Sequence, residues 1–113
     1  QERYDLLLSS LPIVKPYQDQ DNYSALHLYP IQIDKVKSTR KEIFKALRKN
    51  DIGVNVHYIP VHTQPYYENM GFKKGDYPNA ENYYESTISI PMFQGLTIEM
   101  QDKVVNVLKK VLV

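Results

Sequence analysis

The spacing of apolar residues changes from a helical to an alternating period around Gly53, and this change restricts the chain to folds that combine helices with a sheet. Before Gly53, the residues Ile43, Phe44 and Leu47 lie on one face of a helix. After it, apolar side chains alternate with polar ones, as in a half-buried strand, at Val54, Val56 and Tyr58. The centre of the chain therefore predicts a helix that leads directly into a strand.

The start of this helix is marked by a capping box formed by Thr39 and Glu42. The threonine oxygen can accept a hydrogen bond from a free backbone N–H, and the glutamate can reach back to the cap. We expect the helix to extend to about Lys49. The basic run from Lys35 to Lys49 contains Glu42 and the apolar stripe, so it is interpreted as a solvated helix face and not as a phosphate-binding patch.

An earlier strand is predicted from Ala25 to Ile33, after a loop-like stretch from Ser9 to Tyr23. In this strand Leu26 and Leu28 alternate on one face. Pro30 interrupts the pattern, so the strand is expected to be an edge strand or to be bulged at that point. A bulge would return two later residues to the core face, namely Ile31 and Ile33.

The last third of the chain starts with an irregular segment over residues 62–75. A short helix is predicted to open within residues 78–81, with Asn79 as its N-cap. A short strand follows, with an edge signal from Pro91, and its apolar side chains are Ile88, Ile90 and Met92.

Thr97 is predicted to cap a final helix. Glu99 and Asp102 lie near its positive end, and Lys109 and Lys110 lie near its negative end, as the helix dipole favours. The inner stripe of this helix is predicted to consist of Met100, Val104, Val107, Leu108 and Val111.

These elements predict a single α+β domain over residues 1–113, a small two-layer sandwich with a mainly antiparallel sheet and helices on one face. The helices cover the face that carries Val54 and Val56. Because side chains alternate across a strand, Asn55 and His57 point to the opposite face. Further members expected on that face are His27 and Tyr29. The face is either solvated or a surface on which a partner domain docks, and the pattern leaves both interpretations open.

The composition excludes several kinds of protein. The chain has no cysteine, which rules out disulfides, thiolate metal sites and cysteine nucleophiles. Its net charge of +1, from 14 basic and 13 acidic residues, lacks the clustered basic excess of nucleic-acid and membrane-surface binders. No apolar run approaches the ~20 residues of a membrane span. We therefore expect no nucleic-acid or membrane partner, and a cytoplasmic location.

The beginning of the chain is unusual because it starts at Gln1, without a methionine, inside what reads as the tail of a helix. Tyr4, Leu7 and Leu8 have the helical spacing that supports this interpretation. We therefore expect the chain to be an excised part of a longer protein.

The densest group of polar and aromatic side chains lies between Asn55 and Tyr67. It includes His57 and His62, which can exchange hydrogen bonds with hydroxyls or phosphates near neutral pH. The alternative is that both are satisfied polar residues in a turn. They lie five residues apart, and no thiolate or nearby carboxylate completes a ligand set, so no metal site is expected. No nucleophile turn or glycine-rich phosphate loop is present.

The segment His57-Tyr58-Ile59-Pro60-Val61-His62-Thr63-Gln64-Pro65-Tyr66-Tyr67 is also distinctive as a motif. Three further blocks accompany it in order along the chain: His27-Leu28-Tyr29, Gly75-Asp76-Tyr77-Pro78-Asn79-Ala80-Glu81 and Ser89-Ile90-Pro91-Met92-Phe93. Together they resemble the small C-terminal domain of the DegT/DnrJ/EryC1/StrS family of sugar aminotransferases, and the resemblance covers nearly the whole chain.

The resemblance implies a fold-type-I enzyme that uses pyridoxal phosphate, held with its Schiff-base lysine in a larger N-terminal domain. Residues 1–10 would then be the tail of the helix between the two domains. Lys41, Lys45 and Lys109 lie on the outer faces of predicted helices and match no Schiff-base motif. We therefore expect no catalytic or cofactor-binding residue and no bound cofactor in this chain, and no activity from the chain alone.

The likeness is to family members that act in pseudaminic acid biosynthesis. It implies transfer of an amino group from an amino acid, usually glutamate, to C4 of a UDP-4-keto-6-deoxy-N-acetylhexosamine. The implied partners are the chain's own large domain, the UDP-sugar, the amino-acid donor and a second copy in a homodimer.

The same resemblance implies that the substrate-binding residues are His57, Tyr58, Ile59, Pro60 and His62, with Tyr66 and Gln64 as further candidates. The strand pattern agrees for His57, because it places this side chain opposite the helix-covered face. The alternative hypothesis is a stand-alone α+β module that binds a ligand or a partner and has no enzymatic activity.

Overall fold

The computed structural model of the protein describes residues 1–33 and 38–113. The part of the basic run between residues 35 and 37 lies outside the described residues. The elements in chain order are α1 (Glu2–Leu7), β1 (Ile13–Val14), β2 (Tyr29–Ile33), α2 (Arg40–Lys49), a 3₁₀ turn (Val61–Thr63), α3 (Pro65–Glu68), α4 (Pro78–Ser86), β3 (Thr87–Ile90) and α5 (Ile98–Leu112).

The sheet of the described residues is antiparallel, with the strand order β1-β2-β3. Ile31 of β2 pairs with Ile88 of β3, and Ile33 of β2 pairs with Ile13 of β1. The two-residue strand β1 lies in the stretch for which the sequence predicted only a loop. A strand this short carries no readable alternation, which is why the pattern did not reveal it.

The predicted strand from Ala25 to Ile33 is only partly correct. The strand starts at Tyr29, because Leu26 has a φ angle of 52°, which an extended strand does not adopt. Leu26 is 40% exposed, and the inward residues are instead Tyr29, Ile31 and Ile33. The placement of Tyr29 on the outer face was therefore wrong: its pairing with Ile90 directs it into the core.

Pro30 fits in β2 without a bulge, because the register between β2 and β3 continues through it. On the other side of β2, β1 pairs only with Gln32 and Ile33. Pro30 therefore has a strand neighbour on one side only, which is the edge-like environment that a proline tolerates.

The predicted strand at 54–58 is reduced to a single bridge between Asn55 and Ser89 of β3. Val54 is buried and Val56 is half-buried, so the alternation holds beside the bridge. Tyr58 was predicted to share the face of Val54 and Val56. This was wrong, because its side chain is 69% exposed. The hydrogen-bonded ladder that would impose the alternation ends at the bridge.

The helix starts follow the local signals closely, with one exception. Thr39 and Glu42 form the predicted capping box, and the Thr97 side chain accepts from the N–H of Met100. Asn79 is not a cap, because α4 already begins at Pro78 with Tyr77 as N-cap. Proline favours the first helical position because its φ is suited to a helix and it has no N–H to satisfy.

The inner stripe of α5 was predicted in part. Val104, Val107 and Leu108 are buried, and Val111 packs half-buried against the core. The prediction that Met100 belongs to the inner stripe was wrong, since its side chain is 48% exposed. The sequence pattern also missed two buried residues, Val105 and Leu112. The buried residues lie on one broad face of α5, which packs against the core.

Within the described ranges, one hydrophobic cluster joins one face of the sheet to α1, α2 and α5. Its fully buried members include Tyr4 of α1, Ile43 and Leu47 of α2, and Leu108 of α5. The predicted α+β class, with a small antiparallel sheet and helices, is confirmed. The opposite face of the sheet carries Pro30, Gln32, Thr87 and Ser89, and this polar face positions the candidate site.

Candidate functional site

His57 lies on the polar face of the sheet, where it contacts β3. Its Nδ1 atom is 2.9 Å from the hydroxyl oxygen of Ser89. Asn55, two residues before His57, forms the backbone bridge to the same serine. The prediction that Asn55 and His57 point away from the helix-covered face therefore agrees with the position of both residues.

A groove of about 290 Å³ runs beside His57. Its lining combines polar groups of the sheet face with apolar residues that follow β3, among them Asn55, His57, Ser89, Met92 and Phe93. Phe93 is largely exposed and Ser89 is buried. The groove therefore offers hydrogen-bonding groups at its base and an apolar side, a combination typical of small-molecule sites.

The residues that follow His57 differ in how accessible they are. The ring of Tyr58 packs edge-on against His57, with 4.6 Å between ring centroids. Tyr58 and Ile59 are largely exposed, whereas Pro60 is buried. Tyr58 and Ile59 can therefore contact a ligand or another protein surface, and Pro60 fixes the course of the chain between them and the 3₁₀ turn.

His62 is in a different environment from His57. It is 7% exposed, and its Nε2 atom is 2.8 Å from Oε1 of Glu81 on α4. The same carboxylate accepts a hydrogen bond from the backbone N–H of Gly75. The His62 side chain and then the Gly75 N–H lower the pKa of Glu81, because both stabilise its charged form.

The ring of His62 also packs against Tyr77, with 4.8 Å between centroids. It borders an aromatic pocket of about 400 Å³, together with Val61, Tyr67, Phe72, Tyr77 and Ala80. The two histidines therefore line separate depressions. The structure gives His62 contacts inside the chain, and a role for it in substrate binding stays a prediction.

The two further candidates flank this region on α3. Tyr66 is exposed and packs edge-on against Tyr67. Gln64 is the exposed N-cap residue of α3 and makes no side-chain capping bond. Neither residue lines the groove beside His57.

Sequence reasoning missed Ser89 and Glu81 as partners of the two histidines. The signal for Ser89 was present, because it lies between two core isoleucines of a strand and so must face the polar side. Glu81 carried no such signal. It meets His62 only because α4 folds back on the 3₁₀ turn, 19 residues along the chain.

The described residues do not fit a pyridoxal phosphate site, which needs a lysine that can form a Schiff base in a cleft. Of the lysines in the described part, Lys15 is half-buried and donates to the Asp5 carbonyl oxygen, and the others are exposed. Among residues 1–33 and 38–113 there is also no group of three or more metal-ligating side chains.

No helix within the described residues combines the length and the apolar character that crossing a bilayer needs.

Comparison with known families matches residues 1–109 to the DegT/DnrJ/EryC1/StrS aminotransferase family. The spore coat polysaccharide biosynthesis protein SpsC of Bacillus subtilis is 37% identical over 114 residues, which cover 96% of this chain and 29% of that protein. The UDP-4-amino-4,6-dideoxy-N-acetyl-beta-L-altrosamine transaminase of Campylobacter jejuni is 31% identical over 93 residues, or 78% of this chain and 24% of that protein.

The fold is also similar to that of a protein of known structure. The PLP form of Spr1654 from Streptococcus pneumoniae is similar with a TM-score of 0.86 and 29% identity, over 99% of this chain and 30% of that one. The chain spans less than a third of the length of these relatives.

Proposed function

The chain belongs to the DegT/DnrJ/EryC1/StrS aminotransferase family, and we propose that it is the small C-terminal domain of a pyridoxal phosphate-dependent sugar aminotransferase. The larger domain supplies the cofactor site and the Schiff-base lysine. When bound there, the cofactor provides the electron sink of the reaction. The chain alone is inactive. In support of this, every lysine in the described ranges is exposed except Lys15, which is half-buried and donates to the Asp5 carbonyl oxygen.

The reaction we propose is transfer of an amino group from an amino acid, glutamate in the first instance, to C4 of a UDP-4-keto-6-deoxy-N-acetylhexosamine. The support is the similarity to a transaminase whose name specifies a 4-amino-4,6-dideoxy sugar carried by UDP. The active protein would be a homodimer, in which this domain closes the substrate cleft against the large domain.

The task of this domain is to bind the nucleotide sugar through the segment from His57 to Pro60, with His62 as a further substrate-binding candidate. The observation that carries this proposal is the position of His57. It lies on the polar sheet face and borders a groove, and its Nε2 atom has no hydrogen-bond partner within the described part of the chain. An imidazole nitrogen in this position can bond a hydroxyl or phosphate oxygen.

The test is His57→Ala in the full-length enzyme that carries this chain. Loss of one hydrogen bond to a charged ligand group costs about 1.5–3 kcal/mol, so kcat/KM for the nucleotide sugar should fall by about 10- to 100-fold. The visible absorbance of the bound cofactor should stay as in the parent enzyme, because no cofactor contact is removed.

His27→Ala is the matched control, because His27 is exposed and does not border the groove. It should keep the parent kinetics. Unchanged kinetics for His57→Ala would contradict the assignment of His57 to the substrate site. If the full-length enzyme had no transaminase activity on any nucleotide sugar, the proposed function as a whole would be wrong.

A further inference from the structure

We propose that Ser89 is the positioning residue of the substrate site: its hydroxyl holds Nδ1 of His57 and so presents Nε2 as the hydrogen-bonding atom for the nucleotide sugar. This inference rests on the proposed function and concerns how its central histidine is oriented. Ser89 itself does not contact the reacting atoms and acts through the ring of His57.

The backbone of Ser89 is held on both sides. On one side it pairs with Pro30 of β2 in the antiparallel register. On the other, its N–H donates to the Asn55 carbonyl at 2.9 Å, and its carbonyl accepts from the Asn55 N–H at 3.3 Å. The position from which the Ser89 hydroxyl projects is therefore fixed. Because the residue is only 4% exposed, little water can compete for this hydroxyl. A group that orients another must itself be fixed in this way.

The ring of His57 is held from two directions. Ser89 bonds Nδ1 at 2.9 Å, and the Tyr58 ring packs against it edge-on, with planes inclined at 65°. These contacts restrict rotation about both side-chain torsions. Within the described part of the chain, the other ring nitrogen, Nε2, has no partner. The arrangement therefore uses one nitrogen for orientation and leaves one for a ligand.

The hydrogen bond between Ser89 and His57 determines which ring nitrogen of His57 carries the proton. When the serine hydroxyl donates to Nδ1, the neutral imidazole carries its proton on Nε2. Nε2–H then donates to an oxygen of the sugar or of the diphosphate. Without the hydroxyl, Nδ1 has no internal donor, and both the tautomer and the ring orientation are released. We expect weaker substrate binding, with the histidine still present.

The kinetic experiment compares Ser89→Ala with Ser89→Thr in the full-length enzyme. Ser89→Ala should raise KM for the nucleotide sugar about 5- to 10-fold, as for one neutral hydrogen bond lost at a site. Ser89→Thr keeps a hydroxyl and should recover most of the loss. The spectral change that the amino-acid donor causes in the bound cofactor should be the same in all variants, because that half-reaction does not involve the sugar.

Ser86→Ala is the matched control. Ser86 is also buried, but its hydroxyl donates to the carbonyls of Asn82 and Tyr83 in α4, and the residue does not line the groove beside His57. Its removal should leave KM for the sugar unchanged. An equal rise of KM in Ser86→Ala and Ser89→Ala would indicate a general packing effect and would overturn the proposal.

A double-mutant cycle separates a positioning role from a direct one. If Ser89 acts through His57, then Ser89→Ala has no further effect once His57→Ala is present. Additive effects would show that Ser89 acts independently of His57. The nitrogen chemical shifts of His57 give a second readout, since they report the Nε2–H tautomer in the parent and should change in Ser89→Ala.

The outcomes distinguish this proposal from the one it rests on. If His57→Ala impairs sugar turnover but Ser89→Ala does not, the positioning role is wrong and the proposed function stands. If His57→Ala has parent kinetics, the site assignment fails, and the role of Ser89 fails with it.

Discussion

At the scale of single residues, the chain uses two histidines of one short segment in different ways. His57 has a neutral hydroxyl as its partner and keeps one nitrogen available beside an open groove. His62 is buried, and its Nε2 is occupied by the carboxylate of Glu81. A nitrogen that is already paired in the interior supports structure more readily than it binds a ligand, so the two positions should respond differently to mutation.

The contact between Glu81, His62 and Gly75 predicts a specific titration. The pKa of Glu81 is lowered from its ordinary value of 4.5 by the His62 side chain and the Gly75 N–H. The folded state therefore favours the charged carboxylate, and its contribution to stability is present above pH 4.5 and is lost as the pH falls through the lowered pKa. We expect the amide shift of Gly75 to titrate with a midpoint below 4.5.

Glu81→Gln tests this assignment, because it removes the titrating group and keeps an oxygen acceptor. The acid titration of the Gly75 amide should disappear in Glu81→Gln. It should persist in Glu68→Gln, where an exposed carboxylate of α3 is replaced. A Gly75 midpoint at or above 4.5 in the parent chain would contradict the lowered pKa.

At the scale of elements, the helices are specified largely by their own ends. The clearest case is α2, where the Thr39 N–H and hydroxyl donate to Glu42, and the Glu42 N–H donates to the threonine oxygen. At the other end, the Asn50 side chain donates to the Ala46 carbonyl. Both ends therefore satisfy backbone groups that a helix otherwise leaves to water.

Thr39→Ala should destabilise the chain by about 1 kcal/mol, as expected for the loss of an N-cap. Urea denaturation followed by far-UV circular dichroism measures this difference. Thr39→Ser keeps the accepting oxygen and should remain close to the parent in its unfolding midpoint. If serine and alanine destabilise the chain equally, the cap does not contribute through its hydroxyl.

At the scale of the whole molecule, α1 is attached to both the sheet and α5. Arg3 pairs with Asp102 at 2.7 Å and also donates to Gln101. The hydroxyl of Tyr29 donates to the carboxylate of Asp5. Burial raises the pKa of Tyr4 to about 12, in line with its place in the core beside Tyr29. The helix α1 therefore packs onto both the sheet and α5.

The molecule also exposes an apolar surface, which we name the Tyr58–Met70 surface. Its exposed members are Tyr58, Ile59, Val61, Tyr66 and Met70. Several exposed apolar side chains within one short segment favour contact with another protein. In the proposed enzyme, the neighbouring large domain would cover this surface.

The isolated chain should therefore self-associate. We expect sedimentation velocity to show species larger than a monomer, in a proportion that rises with protein concentration. The double variant Val61→Ser with Tyr66→Ser should shift the chain toward the monomer. Leu6→Ser is the control, since Leu6 is 74% exposed but lies on α1, outside this surface. A parent chain that stays monomeric at all concentrations would contradict the prediction.

Local signals made several parts of the fold predictable from the sequence. The capping residues placed the starts of α2 and α5, because a cap acts within three or four residues of chain. The alternation around Val54 placed Asn55 and His57 on the polar face before any pairing was known. The resemblance of the ordered blocks identified the family, which the match over residues 1–109 bears out.

The remaining features depended on contacts between distant segments. The side of the sheet on which Tyr29 lies is set by its pairing with Ile90, and the length of the strand at Asn55 is set by where β3 offers partners. The same holds for the pairs Ser89–His57 and Glu81–His62, which join residues 32 and 19 positions apart. A sequence pattern shows on which face of a helix or strand a side chain lies, but not which residue it contacts. The contacts are determined only when the sheet and helices pack and bring distant segments together.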